Sequence, residues 1–154
     1  MLPESGSMRA MSNTLYERDF YAWTNEQAAL PRAGQLSEAD IENIVEEIES
    51  MGRSEKREPI SRLTVLLTHL SKWQFQPARR GKSWCIGIEQ QRDQIDDHLN
   101  ENPSLRVQLE ASIRTAYRDA KRETEKETDL ESDTFAANCP FTFGEMMDEG
   151  FWPD

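Results

Sequence analysis

The segment Lys72-Trp-Gln-Phe-Gln-Pro-Ala-Arg-Arg-Gly-Lys-Ser-Trp84 interleaves cations with aromatic rings. That composition stacks bases and neutralises phosphates, so it marks a candidate contact surface formed by Lys72, Arg79, Arg80 and Lys82, with Arg92 further on. It lies in a thirty-residue window, Pro59 to Ile88, that has no aspartate or glutamate and five bases, the fifth being Arg62. The whole chain sums to −11, so this window at +5 leaves −16 on the other 124 residues. Either the protein's own acids neutralise the window or a partner does. The bland alternative puts Trp73 and Trp84 in the core and leaves Arg79, Arg80 and Lys82 as a solvated turn. A phosphate-cradling loop is not indicated, since Gly81 stands alone.

Three other groups of residues could do chemistry. Glu42, Glu46, Glu47 and Glu49 are dense enough for a dimetal site, but on a helical period they point away from the apolar stripe Ile41, Ile44, Val45, Ile48 and Met51. A carboxylate-bridged site in a bundle also needs inward Glu-x-x-His pairs, and Leu66 and Ile95 precede His69 and His98 at that spacing. No metal and no cofactor is expected. His69, at the edge of an apolar stripe, is the one candidate general base; without a serine or cysteine motif aimed at it, a histidine bonded to a neighbouring helix is the simpler reading. Cys85 and Cys139 form no CxxC pair and read as ordinary thiols in a reducing cytoplasm.

These residues must be carried by helices. Tyr16, Phe20, Trp23, Gln27 and Leu30 recur at four, three, four and three residues, which predicts an amphipathic helix ending near Pro31 to Gly34. Ser37, with Asp40 in the first turn, predicts the cap of a second helix with Ile41, Ile44, Val45, Ile48 and Met51 facing the core. A proline inside a helix costs about 3 kcal/mol, so a break or kink is expected between Gly52 and Pro59. Ile60, Leu63, Leu66, Leu67, Leu70 and Trp73 make a third stripe, the centre of the bundle; burial there explains why much of the acid-free window lacks acids. Trp84, Ile88, Gln91, Ile95 and Leu99 make a fourth.

Asn102-Pro103 predicts a cap and first helical position for a fifth helix, Leu105 to Ala120, that frays after Arg122 into a solvated acidic end. Thr142-Phe-Gly-Glu145 has the form of a capping box before a short terminal helix. Phe141, Phe143, Met146, Met147, Phe151 and Trp152 are placed to lie across the bundle. The expectation is an all-α fold, an irregular bundle of about five helices with a short C-terminal helix and aromatic tail. Residues 1–12 read as a disordered leader and 13–154 as a single helical domain, with 134–154 packing on the bundle. Asp19 and Arg62 are placed for an ion pair between helices. No run approaches the length of a membrane span and no signal peptide is evident, so a cytoplasmic protein without membrane contact is expected.

Asp19-Phe-Tyr-Ala-Trp-Thr24, Glu42-Asn-Ile-Val-Glu-Glu-Ile-Glu-Ser-Met-Gly-Arg-Ser-Glu55 and His69-Leu-Ser-Lys-Trp-Gln-Phe-Gln-Pro77, with Ser83-Trp84 and Gln90-Gln-Arg92, resemble a bacterial family catalogued as domain of unknown function 29. The resemblance runs from about Tyr16 to the Phe-Trp-Pro near the C-terminus. It implies a small all-helical protein and supplies no catalytic residues. The leading functional reading is a non-enzymatic protein-interaction module with a protein partner. A nucleic-acid-binding module using the turn 76–83 is the alternative, and a hydrolase built around His69 is the third.

Overall fold

The computed structural model describes residues 15–154, and the expected leader lies outside them. A helical turn over 15–18 precedes α1, Phe20–Arg32; a 3-10 turn at Leu36–Glu38 leads to α2, Ile41–Phe75. Another 3-10 turn at Pro77–Arg79 leads to α3, Lys82–Glu101, and a longer one at Pro103–Gln108 leads to α4, Leu109–Glu127. A last 3-10 turn at Ser132–Thr134 precedes α5, Phe143–Met147. The fold is all-α, with no strand among the described residues. Backbone contacts divide it into two compact units, the first ending at Arg53 and the second spanning Ser54–Asp154.

In the first unit the Asp19 carboxylate caps α1 by accepting from Ala22 N at 3.0 Å. Gly34, at φ 74°, makes the turn that follows, a conformation glycine adopts without steric cost. Trp23 and Gln27 are the buried residues of α1, and both reach Asp40. Trp23 Nε1 donates to Asp40 Oδ2 at 3.3 Å, and Asp40 N donates to Gln27 Oε1 at 2.7 Å. These bonds fix the start of α2, where Asp40 O accepts from Ile44 N. Asp40, rather than the expected Ser37, therefore precedes the first turn; Ser37 sits in the 3-10 turn.

The expected core stripe of this part of α2 does not face a core. Asp40, Asn43, Ile44 and Glu47 are buried or half-buried, and Tyr16 OH donates to Glu47 Oε1. Ile41, Val45 and Ile48 lie about 100° round the helix from that line and stay exposed. Met51 is exposed as well.

In the second unit Leu63, Leu66, Leu67 and Leu70 are fully buried, each burial stabilising by roughly 1.5–3 kcal/mol. Ile88, Ile95 and Leu99 of α3, Ala116, Tyr117 and Ala120 of α4, and Phe141 and Met146 of the C-terminal segment complete this core. The capping box forms: Thr142 Oγ1 accepts from Glu145 N and Glu145 Oε1 accepts from Thr142 N.

Three boundaries differ from expectation. The chain does not break between Gly52 and Pro59, and α2 runs through the proline as one 35-residue helix. Proline has no N–H for the carbonyl of Glu55, four residues back, and that carbonyl instead accepts from His98 Nε2 of α3 at 2.9 Å. Asn102 and Pro103 take the expected cap and first helical positions, but of a 3-10 helix that delays α4 to Leu109, and the Asn102 side chain makes no cap bond there because its Nδ2 donates back to His98 O, closing α3. α4 continues past Arg122 because Thr124 is fully buried, its hydroxyl donating to Ala120 O, and Glu127 is tied to Lys72.

Candidate functional site

The acid-free window resolves into separately employed cations. Arg62 pairs with Glu58 at 2.6 Å and donates to Gln94 Oε1, both within the second unit. Lys72 pairs with Glu127 and lies 5.9 Å from the centre of the Trp84 ring. Arg80 folds under the turn: its Nε donates to Trp73 O at 2.7 Å, satisfying a carbonyl in the last turn of α2, and its Nη2 donates to Pro153 O at 3.3 Å. Arg79 and Lys82 are exposed, and neither side chain has an ion pair or hydrogen bond among the described residues.

Arg92 is buried at 3% exposure and holds the C-terminal segment by its backbone. Its Nε donates to Met146 O at 2.6 Å and its Nη2 to Phe151 O at 2.8 Å. Arg80 lies 5.2 Å from the Trp73 ring, Trp73 lies 4.7 Å from Trp152, and Arg92 lies 5.3 Å from Trp152. This cation–ring–ring–cation ladder takes Arg80 and Arg92 out of any free basic surface and makes them a clamp. Burial pulls the Arg92 guanidinium below the usual arginine value, against the opposing pull of Asp148, Glu89 and Glu149.

His69 opens on a groove of about 410 Å³ whose walls include Thr64, Thr68, Asp119, Glu123 and Glu127. The imidazole packs on α3, where a Cβ built on Gly87 would come 3.3 Å from its Nε2. Its buried Nδ1 has no partner, so the expected bond to a neighbouring helix is replaced by packing. Burial is the main cause holding its pKa below the ordinary 6.5; Lys72 adds to this and Glu127 opposes it. The hydroxyls beside it are committed elsewhere: Thr64 donates to Ile60 O and Thr68 to Thr64 O, both at 2.7 Å.

Of the four candidate acids of α2, Glu46, Glu47 and Glu49 are engaged locally and Glu42 is exposed. Arg53 meets Glu46 at 2.7 Å and Glu49 at 3.9 Å, while Glu47 accepts from Tyr16. That hydrogen bond, with burial and the nearby carboxylates, pushes the Tyr16 phenol up to about 12. Among the described residues no group of three or more His, Cys, Asp or Glu side chains is placed to hold a metal, and no helix is long and apolar enough to cross a membrane.

Sequence reasoning passed over two features. His98 acquires its role only through Pro59, forty-three residues from its acceptor Glu55. Arg114, Arg118 and Lys121 recur at four and three residues on α4, a spacing that puts cations on one helical face.

No curated protein and no solved structure shows a match to this chain. A family match, described as "Domain of unknown function DUF29", covers residues 15–152 and so takes in both units, the Trp73–Trp152 ladder and its two arginines. The chain belongs to that family.

Proposed function

We propose that the protein is a non-enzymatic interaction module that docks a partner polypeptide on the exposed ridge Ile41, Val45 and Ile48. One observation carries this reading: three large apolar side chains at helical spacing remain 46–63% exposed on an ordered helix. Contiguous apolar surface of this kind marks binding faces far more often than scattered exposed residues do. Glu42 and Glu49 border the ridge on the side away from Asp40 and Ile44, so the partner that fits is an amphipathic helix with an apolar stripe flanked by lysine or arginine. The hydroxyls beside His69 donate to their own helix, which supports a non-catalytic reading of that groove.

A fluorescent Leu/Lys amphipathic peptide tests the proposal. Wild type should bind it more weakly as salt rises; Val45→Glu/Ile48→Glu should lose binding, and Arg79→Glu/Lys82→Glu should keep it. Unchanged binding by the ridge variant sinks the reading. Concentration-dependent dimerisation abolished by the same variant would assign the ridge to a second copy instead.

A further inference from the structure

A second surface, within the Ser54–Asp154 unit, combines a different chemistry. Between α4 and residues 137–143 lies a groove of about 770 Å³, within the range of about 300–1,000 Å³ typical of small-molecule sites. Its apolar lining includes Ile113, Tyr117, Phe141 and Phe143, and half-buried Cys139 lies among them. The same groove is lined by Arg114, Arg118 and Lys121, opposed by one acid, Glu110. A local excess of positive charge beside apolar rings stands out in a chain of net charge −11.

Two of these cations have modest internal duties. Arg118 Nε donates to the adjacent Asp119 carboxylate at 3.2 Å, and Lys121 Nζ donates to Ala137 O at 3.2 Å while lying 4.9 Å from the Tyr117 ring centre. Arg114 is exposed and has no side-chain partner among the described residues.

We propose that this groove binds an amphiphilic anion, an aliphatic carboxylate whose chain lies on Ile113, Phe141 and Phe143 and whose headgroup meets Arg114 and Arg118. Charge complementarity carries the assignment. A guanidinium fork matches a carboxylate in geometry as well as sign, whereas a neutral or cationic amphiphile would gain only the apolar contact.

Cys139 supplies a reporter, because the residue lines the groove and its Sγ donates to Phe141 O at 3.5 Å. In full-length protein carrying Cys85→Ser, Cys139 is the single remaining thiol. Its alkylation in mildly alkaline buffer can be followed with dodecanoate or dodecyltrimethylammonium below their micelle concentrations. At ten times Kd, dodecanoate should slow alkylation about tenfold by occupancy alone. The cationic amphiphile should not protect, and Arg114→Glu/Arg118→Glu should lose the dodecanoate effect. Circular dichroism of that variant should be unchanged, since both side chains are exposed.

Equal protection by both amphiphiles, or protection that survives the charge reversal, overturns the proposal in favour of plain apolar surface. Protection by an acidic amphipathic peptide without any by dodecanoate overturns it in favour of a polypeptide ligand. Because Val45→Glu/Ile48→Glu leaves this groove untouched, its effect on the Leu/Lys peptide and the Cys139 result stand or fall separately.

Discussion

The two halves of α2 have the same kind of apolar periodicity and opposite fates. Ile41, Val45, Ile48 and Met51 remain exposed, whereas Leu63, Leu66, Leu67 and Leu70 are fully buried. The difference does not lie in the stripe itself. Around the leucines, α3, α4 and the C-terminal segment converge; beside the first half, α1 reaches Asp40 and Tyr16 of the preceding turn reaches Glu47, which leaves the aliphatic ridge bare. A helical stripe specifies that one face is apolar, and its neighbours decide whether that face becomes core or contact surface.

The most direct way to break this comparison is to truncate one residue from each half. Leu67→Ala should destabilise by about 2–5 kcal/mol in urea unfolding, and Ile48→Ala should stay within about 0.5 kcal/mol. Similar losses would mean that the ridge is buried in solution. The cover over the leucines can be loosened next. Arg92→Ala removes hydrogen bonds to two carbonyls of the C-terminal segment and should cost about 2–3 kcal/mol, with Arg92→Lys failing to restore it because an ammonium lacks the guanidinium fork.

The helix joining the halves offers a smaller effect. His98→Ala should cost about 1 kcal/mol, and less when combined with Pro59→Ala, which returns an N–H to the Glu55 carbonyl. Strict additivity of the two changes would remove His98 from its role at the proline.

The smallest effect is a pH slope. The folded state lowers the His69 pKa below 6.5, so the unfolded chain takes up the proton first as pH falls. Stability should be complete above about 6.5 and decline below it until the folded pKa is reached; His69→Gln should flatten that part of the profile. An identical profile in the variant would show that His69 is solvated.

Local patterns were legible in the sequence. The leucine stripe, the Thr142–Glu145 box and the end of α1 near Gly34 depend on residues within a turn or two of one another. Pro59 was not, because the donor replacing its missing N–H comes from another helix. The basic window was legible as charge but not as use: Arg80 and Arg92 are taken up by main-chain carbonyls, and a carbonyl has no residue identity to read. Lys72 was half-legible, since the acidic end of the fifth helix is evident in the sequence, although only packing selects Glu127. Of the five bases in the window, Arg79 and Lys82 are the two without a side-chain partner among the described residues. A nucleic-acid complex through this turn would release few counterions, with a slope of log K against log salt no steeper than about −2.

The clamp by Arg80 and Arg92 also bears on the entropy of folding. Its hydrogen bonds to the C-terminal segment join residues 54, 59 and 73 positions apart, so the cover over a mostly local helical assembly closes through long loops. Each of these bonds therefore carries a larger loop-closure cost than the short-range contacts that form the helices.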